Sequence, residues 1–599
     1  MYALFNPSVC ITLIFNIMKK IILGALCLFF FGSAMECKKI DPTSVPVITI
    51  SVQPANRSFA QGSISGNLSV AASVTLSATL NYQWYSNTTN SNTGGTSITG
   101  ANTQTFAVPT TLMATGSPYY YYCIVGATGG ATSVRSHVAT VTVTAPTSAL
   151  GGVVNISGTT RFDQPLTAVT TGLTATPTTA LGTLSYQWLR SGTVITGATT
   201  STYRPKLEDI GHPLSVMVTA ANCSGSVLSP ATATIIAFTG TGNSAANPYV
   251  ITSAAELALL AQLVNAGNAT YNAAAKFYKQ TANLALGVAP YTNGNGWTPI
   301  GSKTQPFLGA YDGDGKEISG LKITGSADFR GLFGRINGGK VWNVRLTGVS
   351  ISGGSQNVGG VAGDIYGTGA TIDHCSVTVT AITSTNRYIG GVAGCVRESA
   401  SVTNCMVTGG TVSSTDSYVG GIAGIVSNSS SVMANCYTTC SVSGSEEVGG
   451  VVGINSGGTI EFCYATGVVS ATSGGWVGGI VGDNSDGTVQ NCVALNSRVA
   501  RNTAGGNIGR VVGATISSSA LANNYARSTG MTFKAGDSYL IISATPLSNS
   551  VEGANVTPAN FNGANSGTWW TLPAASNGPD FPSSSWTFAA NALPVLVGF

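Results

Sequence analysis

Few residues in this chain can do chemistry, and their spacing narrows what that chemistry is. Its three histidines are His137, His212 and His374. None opens an HExxH run, which would set two zinc ligands on one helix face. No GxxxxGK[ST] loop offers a phosphate cradle, and no GxSxG turn offers a strained nucleophile. His374 precedes Cys375 but has no partner in sequence. Between residues 341 and 529 there are nine acidic and seven basic residues, and the close acidic pairs are Glu446/Glu447 and Asp483/Asp486. Adjacent strand residues face opposite sides, so Glu446 and Glu447 make a poor acid–base pair. Asp483 and Asp486 fall in a Gly-rich stretch and read as solvated. Asp312, Asp314 and Glu317 surround Gly313 and Gly315 but lack the third acid and the spacing of a calcium loop, so a tight hairpin turn is expected. Five cysteines, Cys375, Cys405, Cys436, Cys463 and Cys492, recur at even intervals. They form a line, whereas zinc sites bring CxxC-type pairs together. Stacked in register, their Cβ atoms would run parallel, which disfavours disulfides. A structural ladder of buried free thiols is expected, with no metal, cofactor or catalytic residue. Cys395 and Cys440 lie off the ladder.

The ladder belongs to a repeat. Gly331-Leu332-Phe333-Gly334 is followed by Gly360-Val361-Ala362-Gly363, Gly391-Val392-Ala393-Gly394, Gly421-Ile422-Ala423-Gly424, Gly450-Val451-Val452-Gly453, Gly479-Ile480-Val481-Gly482 and Arg510-Val511-Val512-Gly513. A second marker follows in phase: Val344, the five cysteines, then Asn524. Units of about 30 residues, made of short apolar strands and glycine turns, bury their apolar face only by stacking. The two markers resemble the GLUG repeat family, over roughly residues 240–535. The stacking argument predicts a right-handed parallel β-helix, with the repeat array at 329–535. Open solenoid ends need covers. Ser253-Ala254-Ala255-Glu256 reads as a capping box that opens an amphipathic helix with Leu257, Leu260, Leu263 and Val264 apolar and Gly267 as its stop. Residues 240–328 are therefore the N-terminal cap and lead-in. Residues 536–599, with Trp569, Trp570, Trp586 and Pro594, read as a C-terminal cap.

One column could bind a ligand. The residue before each V/I-G-G step runs Asn357, Tyr388, Tyr418, Glu447, Trp476, Asn507. Its neighbour is always apolar, so alternation turns the column outward, with Tyr388 and Tyr418 on adjacent rungs. Tyr388, Tyr418, Glu447 and Trp476 are the candidate ligand-binding residues, suited to an extended glycan whose sugar faces stack on rings.

Upstream lie two all-β modules. In 46–145, Tyr82-Gln83-Trp84 and Tyr121-Tyr122-Cys123 sit in alternating segments at sandwich spacing. In 147–237, Ser185-Tyr186-Gln187-Trp188 and Leu214-Ser215-Val216-Met217-Val218 repeat the plan, with Met217 where Cys123 stood. Both modules resemble bacterial Ig-like domains but lack the inter-sheet disulfide. The tyrosines at 119–122 are expected to divide between core and surface.

The 599 residues require several structural units, and 76 glycines with 8% charged residues exclude coiled coils and helical bundles. The net charge is +4 without a basic stripe, so nucleic acid is not a partner. Lys19 and Lys20 precede the apolar run Ile21–Phe31, then Gly32, Ser33, Ala34 and Cys37. That is a secretory signal, and translation from Met18 would remove the apolar stretch before it. Cys37 resembles a loose lipobox of the kind seen in Bacteroidetes lipoproteins, which implies lipidation at Cys37 over 1–37 and a tether at 38–46. The whole then resembles an exported surface lipoprotein, anchored in the outer membrane by lipid alone: adhesin-like, not an enzyme, with two Ig-like spacers and a β-helix for a glycan or host or matrix protein ligand. The alternative is a β-helix lyase or hydrolase acting on polysaccharide. Oligomeric state is left open.

Overall fold

The computed structural model describes residues 44–145 and 148–599. The signal segment, the lipidation candidate Cys37 and most of the tether lie outside the described residues. Two compact units emerge: one is built mainly from the first sandwich, the other from most of the second sandwich and everything after it.

In the first sandwich the strand Leu80–Asn87 pairs antiparallel with Tyr119–Ala127, and Trp84 stands directly opposite Cys123. Both are fully buried in a core with Ile48, Leu68, Phe106, Tyr121 and Val141. The YQW signature has a mechanical reason. Trp84 Nε1 donates to the Thr103 carbonyl at 3.0 Å, and Gln83 Nε2 donates to the Ile98 carbonyl at 2.7 Å, tying down the next connection. In the second sandwich Trp188 donates to Thr200 at 2.9 Å and Gln187 to Ile195 at 2.8 Å. There the residue opposite the tryptophan is Val216, whereas Met217 faces Gln187. The sequence-based placement of Met217 in the role of Cys123 is therefore one residue out of register. A shared clamp confirms the correction: Ser136 Oγ accepts from the Cys123 amide at 2.9 Å, and Ser229 Oγ accepts from the Val216 amide at 3.0 Å. Of the tyrosine run, Tyr121 and Tyr122 are buried and Tyr119 and Tyr120 are half-buried.

The rest is a parallel β-solenoid. Sheets of ten, seventeen, seven and five strands run along it, and neighbours within the long ladders are parallel except for the antiparallel pair Thr532–Ala535 and Ser538–Tyr539. The ten-stranded sheet begins at Tyr249–Ile251, so the lead-in already forms coils and the stack is longer than the seven repeats. The helix Ala254–Asn265 follows that first strand. Ser253 Oγ accepts from the Glu256 amide at 3.2 Å, and Glu256 reaches back to the Thr252 amide and hydroxyl at 2.7 Å each. Its carboxylate also lies 3.4 Å from Arg161 of the second sandwich, whose Phe162 and Ile210 pack on the same continuous core.

The interior is made of stacked identical columns such as Val341, Ile372, Val402, Met433, Ile460 and Val489, all fully buried. Each coil turns a corner just before the thiol ladder, where Asn343, His374, Asn404, Asn435, Phe462, Asn491 and Asn523 all have φ between 47° and 55°. Asparagine tolerates this left-handed region better than other side chains, which explains its frequency there.

The Trp-rich C-terminal segment does more than close the end. Ala554–Val556 pairs with the strand Tyr525–Arg527 and so extends the stack. Beyond it the chain turns back along the flank, and Trp569, Trp570, Phe581 and Trp586 pack on an outward column from neighbouring coils, Tyr437, Tyr464, Val493 and Tyr525. Trp586 Nε1 donates to Asn435 at 3.0 Å, Tyr464 Oη donates to the Pro594 carbonyl at 2.8 Å, and the terminal Phe599 ring lies 6.2 Å from His374. Within the C-terminal cap expected for 536–599, Leu540, Ile542 and Val551 do pack on the last coil, whereas the part beyond Val556 forms a lateral strap: a row of stacked apolar side chains offers more surface to bury than the end of one coil.

Candidate functional site

The candidate column sits at the second corner of each coil. Phe329, Asn357, Tyr388, Tyr418 and Glu447 have φ between 45° and 66°, and Trp476 continues the column without that conformation. At those first five positions the left-handed corner, not strand alternation, is what throws the side chain outward. The last glycine of each G-x-x-G motif makes the corner possible. A Cβ on Gly424 would lie 2.5 Å from the Tyr388 carbonyl carbon and the Ile389 amide, and one on Gly453 would lie 2.6 Å from Tyr418 and Val419. Every coil thus seats its motif glycine beneath the corner of the coil before it.

Tyr388 and Tyr418 stack nearly parallel, with centroids 5.1 Å apart and planes 8° off. Arg387 adds its guanidinium over the Tyr418 ring at 5.9 Å. Both tyrosines, Glu447 and Trp476 are half-buried, so each keeps a solvent-facing part. Burial, then the neighbouring Glu446, pushes the Glu447 carboxyl up to about 7, although Ser417 donates to it. Asp483, which sequence placed in a solvated turn, is instead buried in the strand Val481–Ser485. Burial raises its pKa against a hydrogen bond from Ser485 at 2.8 Å. Glu447 and Asp483 each keep one buried oxygen without a hydrogen-bond partner. They lie in successive coils, so sequence separation hid their proximity.

The flank beneath the strap supplies an internal comparison. Tyr437 and Tyr464 stack as Tyr388 and Tyr418 do, at 4.9 Å and 4°, but the protein's own Trp586 and Trp570 cover them. The Tyr388–Tyr418 pair has no such cover among the described residues. At the start of its column, Phe329 borders a cavity of about 450 Å³ lined also by Trp297, Pro299, Lys303 and Arg330. Trp297 falls in the range 240–328, expected from sequence to be the N-terminal cap and lead-in.

The remaining candidates have structural duties. The five ladder cysteines are free and buried. Their sulfurs sit over the carbonyl two residues back, as in Cys405 to Thr403 at 3.0 Å and Cys492 to Gln490 at 3.1 Å. Burial pushes the Cys405, Cys436 and Cys492 thiols well above their ordinary value. Asn524 ends the ladder by accepting from the Cys492 amide at 3.0 Å and donating to Val489 at 2.8 Å. Cys395, off the ladder, is the register partner of Asp364, which Arg335 and Arg397 clamp at 2.9 and 2.8 Å. Asp312 accepts from the Asp314 amide at 2.9 Å in a turn, and Thr347 donates to Glu317 at 2.6 Å. Among the described residues no group of three His, Cys, Asp or Glu side chains could hold a metal.

No family model matches the chain. Halomucin of Haloquadratum walsbyi is 35% identical over 168 residues, 27% of this chain and 2% of that protein. A protein of Evansella cellulosilytica named "Putative Gly-rich membrane protein" is 32% identical over 146 residues, 24% of this chain and 16% of that protein. This chain therefore spans only a small part of the length of either relative. Among solved structures, one named "putative immunoglobulin A1 protease" from Bacteroides ovatus gives a TM-score of 0.41 at 22% identity, covering 60% of this chain and 95% of that one. Titin domains I67–I69 give 0.13 at 14% identity, covering 31% and 65%. Among the described residues no helix is long and apolar enough to cross a membrane.

Proposed function

We propose that the chain is a non-enzymatic, adhesin-like surface lipoprotein of the GLUG-repeat type, held by a lipid on Cys37 and extended by two Ig-like modules. Its solenoid binds an extended glycan, or a host or matrix protein, along Tyr388, Tyr418, Glu447 and Trp476. The observation that carries the reading is the bare, parallel Tyr388–Tyr418 stack at 5.1 Å. The covered Tyr437–Tyr464 stack supports it, because there the same arrangement accommodates planar rings from elsewhere in the chain. The names of the two relatives, "Halomucin" and "Putative Gly-rich membrane protein", agree with a surface location.

The test is a glycan array with residues 38–599 beside a Tyr388→Ala/Tyr418→Ala/Trp476→Ala version. Binding that vanishes in the triple variant supports the reading, and binding that survives it moves the ligand site elsewhere. A second reading, a polysaccharide-cleaving β-helix enzyme, is favoured by one observation: the Glu447 carboxyl, raised to about 7 beside Asp483, is poised as a general acid near neutrality. Release of shortened or unsaturated sugars by the wild type, abolished in Glu447→Gln, would select it.

A further inference from the structure

Arg501 stands where the fold has no use for a charge. It occupies a solenoid column that Gly444 and Ala471 fill in the two preceding coils and Ala535 in the next. The side chain is buried, at 3% exposed, yet its Nε and one Nη have no hydrogen-bond partner and no acid pairs with it among the described residues. Arg510 nearby shows what a structural buried arginine looks like. It is fully buried and donates to Glu552, Asn555 and the carbonyls of Arg527 and Gly553. A buried guanidinium left without a partner is costly, and an anion that accepts from its remaining, unbonded and accessible Nη offsets that cost. Arg501 lines a cavity of about 360 Å³ at the far end of the repeat, together with Gly506, Asn507, Ile508, Thr515 and Leu540.

We infer that this cavity binds the carboxylate of a small, ring-sized polar acid such as a sugar acid, with Arg501 as its anion partner. One arginine balances one negative charge, and no second lysine or arginine lines the cavity, so a monocarboxylate fits better than a phosphate. Ile508 and Leu540 receive the ring face, while Asn507 and Thr515 offer polar groups to hydroxyls. The volume falls in the usual range for small-ligand sites. Asn507 is also the last residue of the outward corner column, so the acid could come from solution or from an acidic glycan lying on that column. The inference does not depend on the glycan reading.

The experiment titrates residues 38–599 with glucuronate and with glucose, by calorimetry and thermal shift, in wild type, Arg501→Gln and Arg501→Ala. Alanine is the residue of the preceding coil, so that variant keeps the fold. Expected: glucuronate binds and raises the wild-type Tm, glucose does neither, and both variants lose roughly tenfold or more in affinity. Both variants should also melt higher than ligand-free wild type, because the unpaired charge is gone. Equal binding by wild type and variants, or glucuronate no better than glucose, overturns the proposal. A uronic-acid oligosaccharide that binds more tightly than the monomer, with the gain lost in the Tyr388/Tyr418/Trp476 variant, identifies a glycan as the source. Equal affinity for monomer and oligomer identifies a free acid.

Discussion

At the scale of residues, the informative positions are those where one side chain breaks a column. Glu447 follows two tyrosines at the outward corner, and its carboxyl is raised to about 7 from the ordinary 4.5 by burial and by Glu446. A carboxyl raised in the folded state holds its proton more tightly there than in the unfolded chain. Its contribution to stability is complete below about pH 4.5, declines as pH rises and is gone above about 7. Glu447→Gln imitates the protonated form. It should leave Tm unchanged at pH 4 and raise it at pH 8, so that the wild-type fall in Tm across this window is reduced. A pH profile identical to wild type would mean that Glu447 is not the titrating group. The thiol ladder gives a second prediction at this scale. All nine described cysteines are buried, and burial holds the Cys405, Cys436 and Cys492 thiols in their unreactive protonated form. Native protein without its first 37 residues should therefore react negligibly with an aromatic disulfide reagent at pH 8, and completely once unfolded. Fast labelling of the native chain would contradict the packing. The cysteine register was legible because period and residue type agreed over five coils. The burial of Asp483 was not, because a glycine-rich local sequence reads as a turn until the coil above covers it.

At the scale of elements, the repeat motif is a statement about how closely coils approach. The G-x-x-G signature was read as turn chemistry, but the last glycine lies in or beside a strand and is there because the preceding corner leaves no room for a Cβ. The asparagines before the ladder have their reason in a left-handed backbone. The tyrosines at the other corner gave no such signal, since tyrosine rarely adopts that conformation. Their outward direction was anticipated, but from alternation along a strand. Gly424→Ala tests the close-approach account. Its new Cβ would meet backbone atoms of Tyr388 and Ile389 at 2.5 Å, and backbone cannot give way as a side-chain tip can. Overpacking of this kind costs about 1–3 kcal/mol. It should also displace Tyr388 from Tyr418, so any ligand binding along the column falls with stability. Denaturant unfolding measures the first effect, and an alanine tolerated within about 0.5 kcal/mol would refute the account.

At the scale of the whole molecule, the order of sandwich, sandwich and solenoid was readable because each architecture declares itself within a short window: YQW strands in one case, a thirty-residue period in the other. The path of the last forty residues was not readable in that way. The segment 558–599 has little periodicity, and its tryptophans find their place only against a surface assembled from earlier coils, as the Trp586–Asn435 hydrogen bond across 151 residues illustrates. Trp586 is buried against Tyr437, Tyr464 and Phe581, with centroids 6.1, 5.7 and 5.1 Å away. Trp586→Ala removes these contacts and leaves Asn435 without its donor, at a cost of about 3–5 kcal/mol. The solenoid interior does not depend on Trp586, so the loss should fall on the strap and not on the coils. Hydrogen exchange would then show protection lost over 558–599 and around Tyr437 and Tyr464, while the interior columns stay protected. The uncovered Tyr437–Tyr464 stack would become a second bare aromatic pair like that of Tyr388 and Tyr418, and a fluorescent apolar dye should bind the variant more strongly than wild type. Uniform loss of protection along the whole solenoid would instead make the strap part of one cooperative unit with the coils.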